Sequence, residues 1–127
     1  VSENRRAARE RALELLYEAE TKDTTAGVIV NALPVAPDAY AVELATGVDV
    51  HHDEIDQIIV DHLTGWTLER MPAVDRALLR MATYELLHCD VPIGVVISEA
   101  VELASEFSTD DSSRFVNGVL SAIARER

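Results

Sequence analysis

Apolar residues recur every three to four positions along most of the chain, the period of helices that bury one face. From Asn4 to Glu20, Ala8, Ala12, Leu15, Leu16 and Ala19 form one stripe and predict a first helix. A short second helix is expected over Thr25–Leu33, stopped by the two prolines of "LPVAPD". A third helical stretch covers Asp38–His62, with a bend expected near Gly47, and "DHLTGWTLERM" reads as a turn holding about one helical turn. Pro72 suits the first turn of the next helix, where a missing N–H leaves no bond unmade. That helix reaches about His88 and is apolar around most of its circumference, so it should be central and most buried. After "CDVPIG", Val96, Ala100, Leu103, Ala104 and Phe107 follow at helical spacing. "STDD" offers N-cap oxygens for a last helix, Ser112 to Arg125, striped by Val116, Val119, Leu120 and Ile123. No strand pattern appears. The chain reads as all-α, with six or seven helices on short connections.

Composition narrows the class. A length of 127 residues suits one domain, 1–127, with a single core, and 48% hydrophobic with 27% charged residues is a globular balance. No apolar run is long enough to span a membrane, and the charged first residues lack a signal peptide's apolar segment. The single cysteine, Cys89, can form no internal disulfide, so a cytoplasmic location is expected. The net charge of −12 repels phosphate over most of the surface and suits a basic protein partner. Any nucleic-acid site must therefore be a local basic patch.

One stretch is such a patch. "NRRAARERALELLYEAE" places Arg5, Arg6, Arg9 and Arg11 early in the first helix. Cations there oppose the helix dipole, and Arg N-terminal to Glu, as in Arg6–Glu10, is the weaker pairing direction. Stability alone would favour acids, which leaves phosphate or RNA contact as the better reading. Arg5 and Arg9 lie one above the other on a helical projection with Arg6 to one side, while Arg11 sits apart as a surface residue.

A second stretch, "TDDSSRFVNGVL", combines a helix start, Ser112, Ser113 and Arg114 with the ring of Phe115. By spacing alone, Phe115 is slightly better read as a core residue. A helix start nevertheless accepts an anion, and an exposed ring gives a base a surface on which to stack. Asp110 and Asp111 oppose phosphate there. Gly118 inside the helix costs about 1 kcal/mol relative to alanine, which suggests close packing against another helix.

Other groupings point to structure rather than chemistry. "VHHDEIDQ" lacks the HExxH arrangement and cysteine partners, and reads as a solvated helix face. "HCD" at His88–Asp90 points neighbouring side chains in different directions, so it makes a poor nucleophile–base pair. Glu85 falls within the apolar arc of the central helix and should be buried, held by a hydrogen bond or ion pair to a neighbouring helix. Trp66 after a glycine reads as an anchor tying the turn to the core. There is no Gly-rich phosphate loop. No catalytic residue, metal or cofactor is expected.

Three segments in order, "RRAARERALELLYEAE", "AVDRALLRMATYELLHCDVPIGVVISEAVELASEFS" and "DDSSRFVNGVL", resemble the NusB family of transcription antitermination factors. The resemblance implies a compact bundle of about seven helices in two packed helical subdomains, and no enzymatic activity. It implies binding of boxA-type single-stranded RNA together with NusE, a small-subunit ribosomal protein. The pair would serve an RNA polymerase antitermination complex that reads through terminators in ribosomal RNA operons. Carried onto this chain, the RNA surface comprises Arg5, Arg6, Arg9 and Phe115, with Ser112, Ser113 and Arg114 as lesser members. Asp111 would moderate RNA affinity, and Tyr17 and Asp75 match the protein-binding pattern. The chain departs from the family in having Ala7 where a third consecutive arginine often stands.

Two other functions fit the same residues. One is a NusB-like RNA-binding portion of a ribosomal RNA cytosine methyltransferase, although no Gly-rich cofactor motif or catalytic cysteine segment is present. The other is a protein-only adaptor. Some NusB-like proteins also pair with themselves, and a homodimer would cover the arginines.

Overall fold

The computed structural model describes residues 2–126. Seven α-helices form among these residues: α1 (Ser2–Thr21), α2 (Ala26–Ala32), α3 (Ala39–Val50), α4 (His52–Asp61), α5 (Ala73–His88), α6 (Ile93–Phe107) and α7 (Asp110–Arg125). A single 3-10 turn, Leu68–Arg70, lies in the α4–α5 connection. Short polar side chains start several elements. Thr25, Asp38 and Thr109 accept the N–H groups of Val28, Tyr40 and Ser112 respectively. The first N–H groups of α2 go to Asp49 of α3, at 3.2 Å from Ala26 and 2.8 Å from Gly27.

The long third stretch is two helices. The break falls at His51, which ends α3 and precedes α4, not near Gly47. Gly47 instead makes room for a neighbour, since a Cβ there would overlap the ring of Tyr84. We expect Gly47→Ala to destabilise the fold by about 1–3 kcal/mol in urea unfolding, because overpacking outweighs the roughly 1 kcal/mol gained in helix propensity. Gly118 is the reverse case. It faces open space and marks no close helix approach.

Helix α5 is central as expected. Ten of its residues are buried, from Asp75 to Leu86, and it touches α1, α3, α4, α6 and α7. Around it, α1, α2 and α3 contact one another, α6 packs on α7, and α4 touches both α3 and α7. One core joins them, built from Leu15, Leu44, Ile55, Leu78, Leu86 and Leu120 among others. Among the described residues, no helix is long and apolar enough to cross a membrane.

Candidate nucleic-acid interface

The arginines of α1 divide by helical position. Arg9 shares the inward face with Ala8 and Ala12 and is only 3% exposed. Its Nε and Nη2 donate to the Glu85 carboxylate at 2.6–3.0 Å, and its Nη1 reaches Glu99 at 3.4 Å. Tyr40 donates its hydroxyl to the same Glu85 carboxylate at 2.5 Å. Burial works to lower the Arg9 pKa, but hydrogen bonding and the charge of Glu85 outweigh it and raise it. Burial, then Glu85, also raises the Tyr40 phenol. The expected buried pairing of Glu85 is therefore present. Arg9, which the sequence placed on an RNA surface, is instead the core partner of Glu85, because its position on α1 points inward.

Arg5 and Arg6 remain outside. The Arg5 guanidinium lies 3.9 Å from the centre of the Tyr40 ring, a cation–π contact that leaves the residue exposed. Arg6 turns to α6, where it pairs with Glu99 at 3.2 Å and with Glu102, and its side chain stays 40% exposed. Arg11 pairs with Glu14 on the surface, as expected.

At the other end of the chain, Thr109 caps α7, and Asp110 and Asp111 occupy its first turn. Ser112 is buried and donates to Asp75 Oδ2 at 2.7 Å, while Ser113 donates back to the Asp110 carbonyl at 2.8 Å. Arg114 pairs with Asp111 in solvent. Phe115 is half-buried, and its ring centre is 6.0 Å from that of Trp66. Trp66 is 52% exposed, so it does not anchor the turn in the core. The positive φ of Gly65, +77°, is the local signal of a tight turn that presents the indole outward.

Trp66 and Phe115, with Met71, Pro72, Asp75 and Ser112, line a cleft of about 530 Å³. Asp75, expected on a protein-binding surface, is 3% exposed in its floor, and its Oδ1 has no hydrogen-bond partner. A second groove of about 430 Å³ runs between Glu10, Leu13 and Tyr17 of α1, Val74 of α5 and Phe107 of α6. Tyr17 is exposed there, and so is Phe107, which the sequence pattern assigned to the core stripe. Val74 and Phe107 of this groove immediately precede Asp75 and Ser108 of the cleft in the chain. Glu10 in this second groove lies one turn beyond Arg6. Arg5 and part of Arg6 are thus exposed on α1 and Trp66 is exposed beside Phe115, while Glu10, Glu14 and Glu18 line the groove beside Tyr17. Sequence spacing missed Trp66 and Phe107; an aromatic residue following a glycine was the available signal for the first.

The "HCD" residues make no catalytic pair. His88 Nε2 contacts Glu54 at 3.1 Å, and the Cys89 thiol lies 3.6 Å from Glu43. Burial is the main influence that pushes this thiol up to about 11, so at neutral pH it is protonated and a weak nucleophile.

The NusB family model matches residues 6–125 of the chain. The transcription antitermination protein NusB of Salinispora arenicola is 50% identical over 128 residues, covering 94% of this chain and 94% of that protein. Among solved structures, T. maritima NusB superposes with a TM-score of 0.86 at 35% identity, over 97% of this chain and 92% of that one. The structure of antitermination factors NusB and NusE in complex with dsRNA gives a TM-score of 0.84 at 30% identity, over the full length of both chains. With this agreement along nearly all of its sequence and helices, the chain belongs to the NusB family of transcription antitermination proteins.

Proposed function

We propose that the chain holds boxA-type single-stranded RNA jointly with NusE, and so helps RNA polymerase read through terminators in ribosomal RNA operons. The observation that carries this reading is the exposure of both kinds of RNA contact, the Arg5 and Arg6 guanidiniums on α1 for phosphates and the Trp66–Phe115 ring pair for base stacking. Ser113 and Arg114 directly precede Phe115 near the start of α7, and Arg9 positions α1 from inside. The groove beside Tyr17 is the NusE surface, and Asp75 lies buried in the floor of the Trp66–Phe115 cleft. The net charge of −12 favours a basic ribosomal partner, which also offsets the field that would repel RNA. The similar structure that pairs NusB with NusE and RNA supports both partners.

Binding of boxA RNA in the presence of NusE tests this reading. Replacing both Arg5 and Arg6 by alanine should weaken binding and flatten the dependence of log K on log salt by about 0.7 per lost phosphate contact. Glu102→Gln should act in the opposite direction, strengthening binding, because it releases Arg6 from a competing carboxylate. Unchanged affinity and slope in the double arginine variant would overturn the RNA surface.

A further inference from the structure

Away from the arginines of α1 and the Trp66–Phe115 cleft, the α3–α4 junction meets the end of α5 in a cluster the proposed function does not use. His51 Nδ1 lies 3.4 Å from Glu54 Oε1, and His88 Nε2 lies 3.1 Å from the same oxygen. The donor atoms of the three residues all lie within 4.8 Å of one another. The two imidazole rings stack with centres 4.0 Å apart, and the His88 ring stacks in turn on Tyr84 at 5.2 Å. His52 contacts Asp56 at 3.4 Å within α4, a local i,i+4 pair, whereas His51 and His88 are 37 positions apart in the chain.

The geometry points to a divalent transition-metal site, of the zinc class, formed by His51, Glu54 and His88. Tetrahedral zinc with bonds of about 2.0–2.2 Å requires ligand atoms roughly 3.3 Å apart. The two edges through Glu54, 3.1 and 3.4 Å, already match that spacing. Two imidazoles and one carboxylate select zinc, cobalt or nickel over calcium and magnesium, which prefer all-oxygen shells. His51 and Glu54 also line an open depression of about 380 Å³, which leaves room for a water as fourth ligand. Asp49 and Asp53 on its wall add negative charge that favours a cation. Bound there, the ion would clamp the α3–α4 break to the end of α5.

The test uses untagged full-length protein titrated with cobalt(II), then with zinc. The expected result is one equivalent of cobalt with the visible absorption of a tetrahedral site, displaced by zinc, and a zinc-dependent rise in the thermal unfolding midpoint. His88→Ala and Glu54→Gln should each lower zinc affinity by about tenfold or more. His52→Ala should leave it unchanged. All three side chains reach solvent, and far-UV circular dichroism establishes that each variant is folded. Absence of the tetrahedral cobalt spectrum would overturn the site. So would equal zinc affinity in His88→Ala, or loss of affinity in His52→Ala, which would place the ion on His52 and Asp56.

Discussion

Replacing Glu85 by alanine is expected to destabilise the protein by about 3–5 kcal/mol, because it leaves the Arg9 guanidinium buried without its carboxylate. Arg9 and Glu85 are both nearly fully buried, and three hydrogen bonds at 2.6–3.0 Å join them. Removal also deprives the Tyr40 hydroxyl of its acceptor. Urea unfolding should show a large drop in midpoint with little change in slope. The paired replacement Arg9→Met with Glu85→Leu should recover most of the loss, since two apolar side chains need no compensation. That variant also separates structure from recognition. If Arg9 acts only by positioning α1, the salt dependence of RNA binding stays at the wild-type slope. A drop of about 0.7 in slope would return Arg9 to the phosphate surface.

The second large effect concerns the rings. Base stacking on an aromatic side chain is worth about 1–3 kcal/mol by alanine substitution, so Trp66→Ala and Phe115→Ala should each weaken boxA binding between roughly fivefold and a hundredfold. The pair lies 6.0 Å apart and is coupled, so the double variant should fall short of the product of the two. Trp66 is largely solvated, and its replacement should leave folding nearly unchanged. Phe115 touches the core and will lose some stability as well. Unaltered RNA affinity in a folded Trp66→Ala variant would confine recognition to the arginines.

Helical periodicity carried most of the fold, because an apolar stripe at spacing 3.6 is a local signal of a global burial pattern. It located α1, α5, α6 and α7 within a few residues and gave α5 its central place. It misplaced the α3–α4 break because Gly47 looked like a flexible point. Its missing side chain answers to Tyr84, 37 positions away. The same limit applied to the site. Arg9, Arg6 and Arg5 look alike in one dimension, but one pairs with Glu85, one with Glu99 and Glu102, and one lies on Tyr40. The inward angle of Asp75 and the outward angle of Trp66 depend on α7, which follows both in the chain. The placement of Glu85 could be anticipated, since a carboxylate in an apolar arc must find a partner.

The missing methyl group at Gly47 also has a consequence beyond the interior. It lets Tyr84 lie flat against α3, and that ring in turn supports the imidazoles of His51 and His88 at the rim. A single hydrogen atom in the interior thereby sets the registration of side chains in contact with solvent. Drift at this position would be felt first as misaligned rim chemistry, before any helix was lost.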